Sequence, residues 1–435
     1  MFSTWLRIFA ITSIGSLTSD SLDWEPIEGP PLVFAYDLVS EELREGERFK
    51  LAPIAYVVNF GYEFDLDSDF GDFHVRGIKM LELIVHEIDA LEKLEEITKT
   101  KAFATSFSEA LKNPIVRSWA VARRPVTTVT RIPSGIVRYL QGKFFEVKRG
   151  SEKLAAKTKE HRYRGESNEK EPVGEKVTGA AKKVGNTTKK LSRRHLGFDK
   201  AKRDWSRRLK VDPYTTNGYL QFELERIAWA STVGSFAGEF AIPSSSVLSY
   251  TLQAQEMVWS KSEKELERLN SKSLKTMGVD TSVLVQFDEL DQYTLTEKTE
   301  LVITLEEIEV DGRLDLIQLM LEVETREEAM LMVKIISAIG NYHQLVKPIE
   351  EVAIRRGLAV CYDEEETMVL PLALDYLHWS KEISEVLLSN DLYDESRSLW
   401  ISGTASAIAK RRLATHDWKL KENCFDTFTA LQPNP

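Results

Sequence analysis

The stretch YEFDLDSDFGDFHVRGIKMLELIVHEIDALEKLEEI, Tyr62–Ile97, decides the fold, because the period of its apolar residues changes partway along it. In its first half, apolar and polar side chains alternate on both sides of a bend at Ser68–Gly71. This pattern is typical of a β-hairpin with one apolar and one acidic face. We expect the acidic side chains to pair with His74 or Arg76 across the strands. The alternating apolar side chains are Tyr62, Phe64, Leu66, Phe73 and Val75.

The second half of the stretch predicts a long amphipathic helix, since its apolar side chains recur about every 3.6 residues. The opposite face is expected to carry Glu82, His86, Asp89 and Lys93, with the histidine in contact with solvent. The apolar stripe consists of Leu81, Ile84, Val85, Ile88, Leu91 and Leu94.

The acidic residues of Phe64–His74 also resemble a calcium loop at first sight. Such a loop needs glycine at its sixth position and a bidentate carboxylate at its twelfth. Counted from Asp65, those positions hold Phe70 and Arg76, and a cation at the last ligand position repels calcium. The pattern therefore favours the hairpin, and no metal or other cofactor is predicted.

The chain has 435 residues, of which 43% are hydrophobic and 29% charged, a globular composition long enough for two or three domains. No apolar run approaches the roughly 20 residues that a membrane-spanning helix requires.

A basic segment, residues 134–210, separates two acidic regions. It carries 23 Lys and Arg against 9 Asp and Glu, about +14, whereas the rest of the chain carries about −25. Its first part, 134–161, predicts a basic amphipathic helix, and polar residues near 162–176 predict a flexible linker. The residues expected to contact an anionic membrane surface or an acidic protein partner are Arg138, Lys143, Phe144, Lys148, Arg149, Lys153, Lys182, Lys183, Lys189 and Lys190.

Another interpretation of the basic segment stays open. The segment is also compatible with an ordinary core-facing helix followed by a solvated linker. Nucleic acid is not expected as a partner, since the segment shows no recognised nucleic-acid-binding signature.

The first 20 residues resemble a secretory signal peptide, with Arg7 before an apolar run and small residues after it. Export to a periplasmic or envelope compartment is therefore expected, with a cytoplasmic location as the alternative. The two cysteines, Cys361 and Cys424, are too few for a disulfide scaffold, and either one bridge or two buried thiols is possible.

The region after the basic segment predicts mostly helices. The sequence VDPYTTNG at Val211–Gly218 is typical of a turn, with Asn217 as the cap of the next helix. Thr325 and Glu328 form a capping box before a helix that Pro348 interrupts. We expect that helix to continue through IEEVAIRRG.

Further along, LAVCY and TMVLPL predict a hairpin, and Ser380 is expected to cap a helix. SLWISGTASAIAKRRLATHDWKLKEN predicts a small β-α-β element with parallel strands and Thr404 or Ser406 as the helix cap. The turn SGTAS lacks the patterns of a phosphate-binding loop, and GSFAG favours close helix packing or a helix end.

Together these patterns predict an α+β fold, predominantly helical, with an N-terminal β-hairpin plus long helix and a helical C-terminal region ending in the β-α-β element. The predicted divisions are a signal peptide (1–20), an α+β domain (21–133), the basic segment (134–210) and a mainly helical domain (211–435).

Familiar catalytic signatures are missing from the sequence. The favoured hypothesis is a non-enzymatic exported cell-envelope protein whose basic segment contacts an anionic surface or acidic partner. The alternatives are a hydrolase with an unrecognised site in the C-terminal domain and a cytosolic scaffold protein.

Overall fold

A computed structural model describes residues 27–122, 135–140, 197–233 and 250–425. It confirms a mixed α+β fold in which helix predominates. The proposed signal peptide, the linker near 162–176 and GSFAG lie outside the described residues.

An antiparallel five-stranded sheet opens the described chain. Its longest strand, β4, pairs with β3 and β2 along one edge and with β5 along the other. Two one-turn helices, α1 (Ala35–Leu38) and α2 (Glu41–Arg44), connect β1 to β2. The strands are β1 (Leu32–Phe34), β2 (Phe49–Leu51), β3 (Ile54–Val58), β4 (Gly61–Ser68) and β5 (Phe73–Arg76).

The β4–β5 hairpin has the predicted geometry. Phe64 faces Val75 and Asp65 faces His74 in the ladder, so the acidic side chains share the outer face. His74 bridges two of them, with Nδ1 2.8 Å from Asp65 Oδ1 and Nε2 3.2 Å from Glu63 Oε2. Arg76 also forms an ion pair with Glu63, which confirms pairing within the hairpin.

Helix α3 (Ile78–Thr98) follows the hairpin and lies against two different cores. Its first half packs on the N-terminal sheet and its second half on other helices. Because both sides are covered, His86 is only 4% exposed, and its Nε2 donates to the Lys210 carbonyl at 3.1 Å. The prediction of a solvent-exposed histidine was wrong, since a single apolar stripe does not reveal a second packing partner.

The remaining described helices lie between Lys101 and Thr415. They are α4 (Lys101–Ala110), α5 (Pro114–Ala122), α6 (Gly135–Leu140), α7 (197–209), α8 (Gly218–Ser231), α9 (Leu252–Ser260), α10 (Glu263–Thr276), α11 (Thr281–Glu289), α12 (Leu295–Glu307), α13 (Arg313–Leu321), α14 (Arg326–Leu345), α15 (Lys381–Leu387) and α16 (Ala407–Thr415). Asn217 caps α8, Thr325 and Glu328 form the capping box of α14, and Ser380 caps α15, all as predicted.

A second five-stranded sheet, in the order β12-β10-β8-β7-β6, lies in the C-terminal region. The predicted hairpin is formed by β7 and β8, and the predicted β-α-β element by β10, α16 and β12, with the strands parallel and Ser406 capping α16. A small pair, β9 and β11, lies apart from this sheet. These strands are β6 (Ile349–Arg355), β7 (Leu358–Asp363), β8 (Met368–Leu372), β9 (Tyr376–Leu377), β10 (Arg397–Ile401), β11 (Thr404–Ala405) and β12 (Trp418–Lys421).

The helical continuation through IEEVAIRRG was wrong, because these residues form β6. The strand pairs antiparallel with β7 through Arg355 and Leu358, leaving Arg356 and Gly357 as the loop. Both loop residues have positive φ, the geometry of a tight hairpin turn rather than a helix end.

The tip of the β3–β4 hairpin contacts the C-terminal region next to β9. Phe60 has a φ of 66° and is 3% exposed, an uncommon combination for a bulky side chain. Its ring stacks on His378 at 4.7 Å, and its carbonyl accepts bonds from the backbone of Asp375 and Tyr376. Phe60 therefore belongs to the largest hydrophobic core of the described residues, which otherwise consists mainly of residues of the C-terminal region.

The two cysteines are both buried free thiols. Cys361 lies in β7 and Cys424 follows β12, at opposite sides of a sheet in which β8 and β10 intervene.

Candidate functional site

The loop Val211–Asn217, between α7 and α8, brings several polar side chains into the interior. Val211 is fully buried, and Asp212, Thr215 and Asn217 are each less than 9% exposed. Short polar side chains such as these bond readily to nearby backbone, which lets the loop run through the interior. Trp259 of α9 fixes the first residue of the loop, because its Nε1 donates to the Val211 carbonyl at 3.0 Å.

Two buried carboxyl groups form hydrogen bonds here, one on α3 and one in the loop itself. Thr215 Oγ1 and Asn217 Nδ2 donate to the two oxygens of Glu87 on α3, at 2.5 and 3.0 Å. The Asp212 carboxyl accepts from Thr296 Oγ1 of α12 at 2.6 Å and from the Tyr214 backbone at 2.8 Å. We call Glu87, Asp212, Thr215, Asn217 and Thr296 the buried polar layer.

Burial makes both carboxyl groups hold their protons more strongly than usual. It raises the pKa of Glu87 to about 7, against the opposing effect of its two hydrogen bonds, and nearby Asp212 adds to the rise. Burial likewise raises the pKa of Asp212 to about 6. Because the bonded oxygens are enclosed by protein, the polar layer joins α3, α8 and α12 rather than offering a surface to a ligand.

An ion pair adjoins the polar layer. Arg326, at the start of α14, makes a two-pronged contact with Glu297 of α12, at 2.5 and 2.6 Å. Glu297 is 3% exposed and also completes the capping box of α12 with Thr294. Charge-assisted pairs of this planar geometry are strong and directional, so the contact fixes α14 against α12.

A polar cleft of about 190 Å³ lies between α12, α14 and the start of α9. Glu300 lines it, and burial raises the pKa of this carboxyl to about 7. Gly340 allows the two helices to approach, because a Cβ there would lie 2.5 Å from the Thr304 methyl group. Thr251, Leu252, Gln253, Glu300, Thr304, Glu307, Ser337, Gly340, Asn341 and Gln344 line the cleft.

One of the predicted contact residues, Arg138, lies within the described chain. It pairs with Glu328 at 2.8 Å and Glu324 at 3.2 Å and is held against the start of α14. The others lie outside the described residues: Lys143, Phe144, Lys148, Arg149, Lys153, Lys182, Lys183, Lys189 and Lys190.

Sequence reasoning missed three buried carboxyl groups whose pKa is raised, Glu87, Asp212 and Glu300. VDPYTTNG predicts a turn and the Asn217 cap, but its run of Asp, Thr and Asn also signals more extensive side-chain bonding to backbone. Glu87 lies three residues after Ile84 and four before Leu91, which places it on the edge of the apolar stripe.

Across 27–122, 135–140, 197–233 and 250–425, no group of three or more His, Cys, Asp or Glu is arranged to hold a metal ion. Nor does any helix in those ranges combine the length and apolar character needed to cross a bilayer. No protein-family model matches the chain, and searches of curated proteins and of solved structures also found no match.

Proposed function

We propose that the protein is a non-enzymatic, exported cell-envelope protein whose basic segment contacts an anionic membrane surface. The observation that carries the proposal is charge segregation. Between the described helices α6 and α7, residues 141–196 hold 16 Lys and Arg against 7 Asp and Glu, in a chain whose net charge is −11. Lys and Arg near an anionic lipid surface each contribute about 1 kcal/mol of attraction.

The described helices on either side of this stretch are packed into the folded body, which supports a role in tethering. On one side, Tyr139 and Leu140 of α6 are fully buried, and the Tyr139 hydroxyl accepts from the Ala359 backbone at 2.9 Å. On the other side, Trp205 of α7 is 5% exposed and donates to Ser231 at 2.9 Å. A surface bound by residues 141–196 would therefore be linked directly to the folded body.

The signal-like N-terminus supports the exported location. Because an exported protein seldom meets nucleic acid, a membrane face is the more suitable anionic partner.

Neutralising four lysines of the basic segment is expected to weaken membrane binding strongly. At about 1 kcal/mol each, their loss lowers the vesicle partition coefficient by about two to three orders of magnitude. The measurement is co-sedimentation of the full chain with phosphatidylserine-containing vesicles at low salt. The substitutions are Lys182→Gln, Lys183→Gln, Lys189→Gln and Lys190→Gln.

A matched variant controls for the change in net charge. It removes four exposed lysines of the body and is expected to bind nearly as well as the wild type. Equal losses in the two variants, or no binding of the wild type at low salt, would contradict the proposal. The control substitutions are Lys101→Gln, Lys264→Gln, Lys272→Gln and Lys275→Gln.

A hydrolase is the second candidate, favoured by the polar cleft in the C-terminal region. A carboxyl group with a pKa near 7, as at Glu300, can give and take a proton at neutral pH. Ser337 lines the same cleft and carries a hydroxyl group. This candidate predicts turnover of a chromogenic ester, phosphate or glycoside that Glu300→Gln abolishes. An inactive wild type across such a panel would remove it.

A further inference from the structure

Glu300 lies at the inner end of the polar cleft between α12 and α14, and one of its two carboxyl oxygens is hydrogen-bonded. Thr251 donates to Glu300 Oε2 twice, from its backbone at 3.0 Å and its hydroxyl at 2.8 Å. Within the described part of the chain, Oε1 accepts no hydrogen bond. Glu300 as a whole is 2% exposed, but it lines the cleft, so Oε1 is open to a molecule in the cleft, whether water or a ligand.

The charge of the lining selects the sign of that molecule. Glu300 is at the inner end and Glu307 at the exposed mouth, where Gln344 donates to Glu307 Oε2 at 2.6 Å. Among the described residues that line the cleft there is no Lys, Arg or His. Two carboxyl groups with no cation beside them create a negative potential, which the narrow cleft strengthens.

The shape and chemistry of the cleft favour an organic cation over a metal ion. The residues that line the cleft include two carboxyl groups, Glu300 and Glu307. In the described chain, no group of three or more His, Cys, Asp or Glu is arranged to hold a metal ion. At about 190 Å³ the cleft is also much larger than a bare ion, with room for a small organic molecule. The hydroxyl of Ser337 and the amide of Asn341 offer further acceptors to an N–H donor.

We propose that this cleft is a binding site for a small primary ammonium ion, whose N–H groups donate to Glu300 Oε1. Glu307 attracts the cation at the mouth, and the Ser337 and Asn341 oxygens take the remaining N–H groups. Binding here is independent of the basic segment and does not require that the ligand be chemically changed.

Proton release from Glu300 links this site to pH. Its pKa of about 7 means that the carboxylate fraction rises about tenfold between pH 6 and pH 8. The charged and titratable groups that act on it are Glu307 on the same helix and Tyr250 before α9. The residues of α14 that line the cleft do not titrate. Affinity for an ammonium ion is therefore expected to rise about tenfold over this range.

The test measures binding of ethylammonium chloride to the purified full chain. Calorimetry and saturation-transfer NMR report the affinity at constant ionic strength. We expect wild-type binding at pH 8, about tenfold weaker binding at pH 6, and loss of at least about tenfold in Glu300→Gln at pH 8. Glutamine keeps an oxygen for both Thr251 bonds, so circular dichroism and the melting temperature should show a folded variant. Glu306→Gln, an exposed change on the same helix, is expected to bind as the wild type does.

Several results would overturn this assignment. They are no ethylammonium binding at pH 8, equal affinity in the wild type and a folded Glu300→Gln, or affinity that does not change with pH. Competition by potassium as strong as competition by ethylammonium would show a site for simple monovalent ions instead.

Discussion

Arg326→Met is expected to lower the free energy of unfolding by about 3–5 kcal/mol, because it leaves the Glu297 carboxylate buried without its partner. The two-pronged contact is a polar link between α12 and α14 and lies beside the buried polar layer. Methionine preserves much of the packing of the arginine stem but none of its donors. Urea unfolding followed by circular dichroism measures the change.

A second substitution isolates the unpaired charge as the cause. Glutamine at 297 is neutral and still suits the capping box with Thr294. The double variant Arg326→Met with Glu297→Gln is therefore expected to recover at least half of the loss. A single variant that loses less than about 1 kcal/mol would show that the pair contributes little, as exposed pairs do.

Glu87→Gln is expected to stabilise the protein at pH 8 by about 3 kcal/mol and to leave it almost unchanged at pH 4.5. The folded-state pKa of Glu87 is about 7, raised by burial from 4.5. Between these values the folded state binds more protons than the unfolded state, so stability falls as the pH rises. Asp212 and Glu300, whose pKa values burial raises to about 6 and about 7, act in the same direction.

The measurement is the free energy of unfolding between pH 4.5 and pH 8 for the wild type and the variant. The wild type should lose stability across this interval, and Glu87→Gln should lose about 3 kcal/mol less. Glu96→Gln, an exposed change on the same helix, should leave the wild-type curve unaltered. A Glu87→Gln curve parallel to that of the wild type would show that Glu87 is already charged in the folded state at acidic pH.

Local sequence patterns predicted the elements whose apolar face packs against a single hydrophobic core. The β4–β5 hairpin is such a case, because alternation alone places Phe64 inside and Asp65 outside. The capping box of Thr325 and Glu328 is similar, since all its bonds lie within one turn of chain.

Features that depend on distant residues were not visible in the sequence. IEEVAIRRG has residues acceptable to either helix or strand, and its pairing with β7 decides the outcome. His86 and Glu87 are buried because the loop between α7 and α8, more than 120 positions away, covers that side of α3. For the same reason the Glu300 cleft could not be predicted, as it is formed where α9, α12 and α14 converge.

The stretch 141–196 of the basic segment, and not the folded body, is proposed to bind an anionic membrane. The most direct measurement compares the full chain with a variant in which residues 141–196 are replaced by an uncharged Gly/Ser linker of equal length. Both are titrated with vesicles of increasing phosphatidylserine content. We predict that the full chain binds more tightly as anionic lipid increases and as salt is lowered, whereas the folded linker variant stays in solution throughout. Equal binding of the two proteins, or no response of the full chain to anionic lipid, would contradict this account.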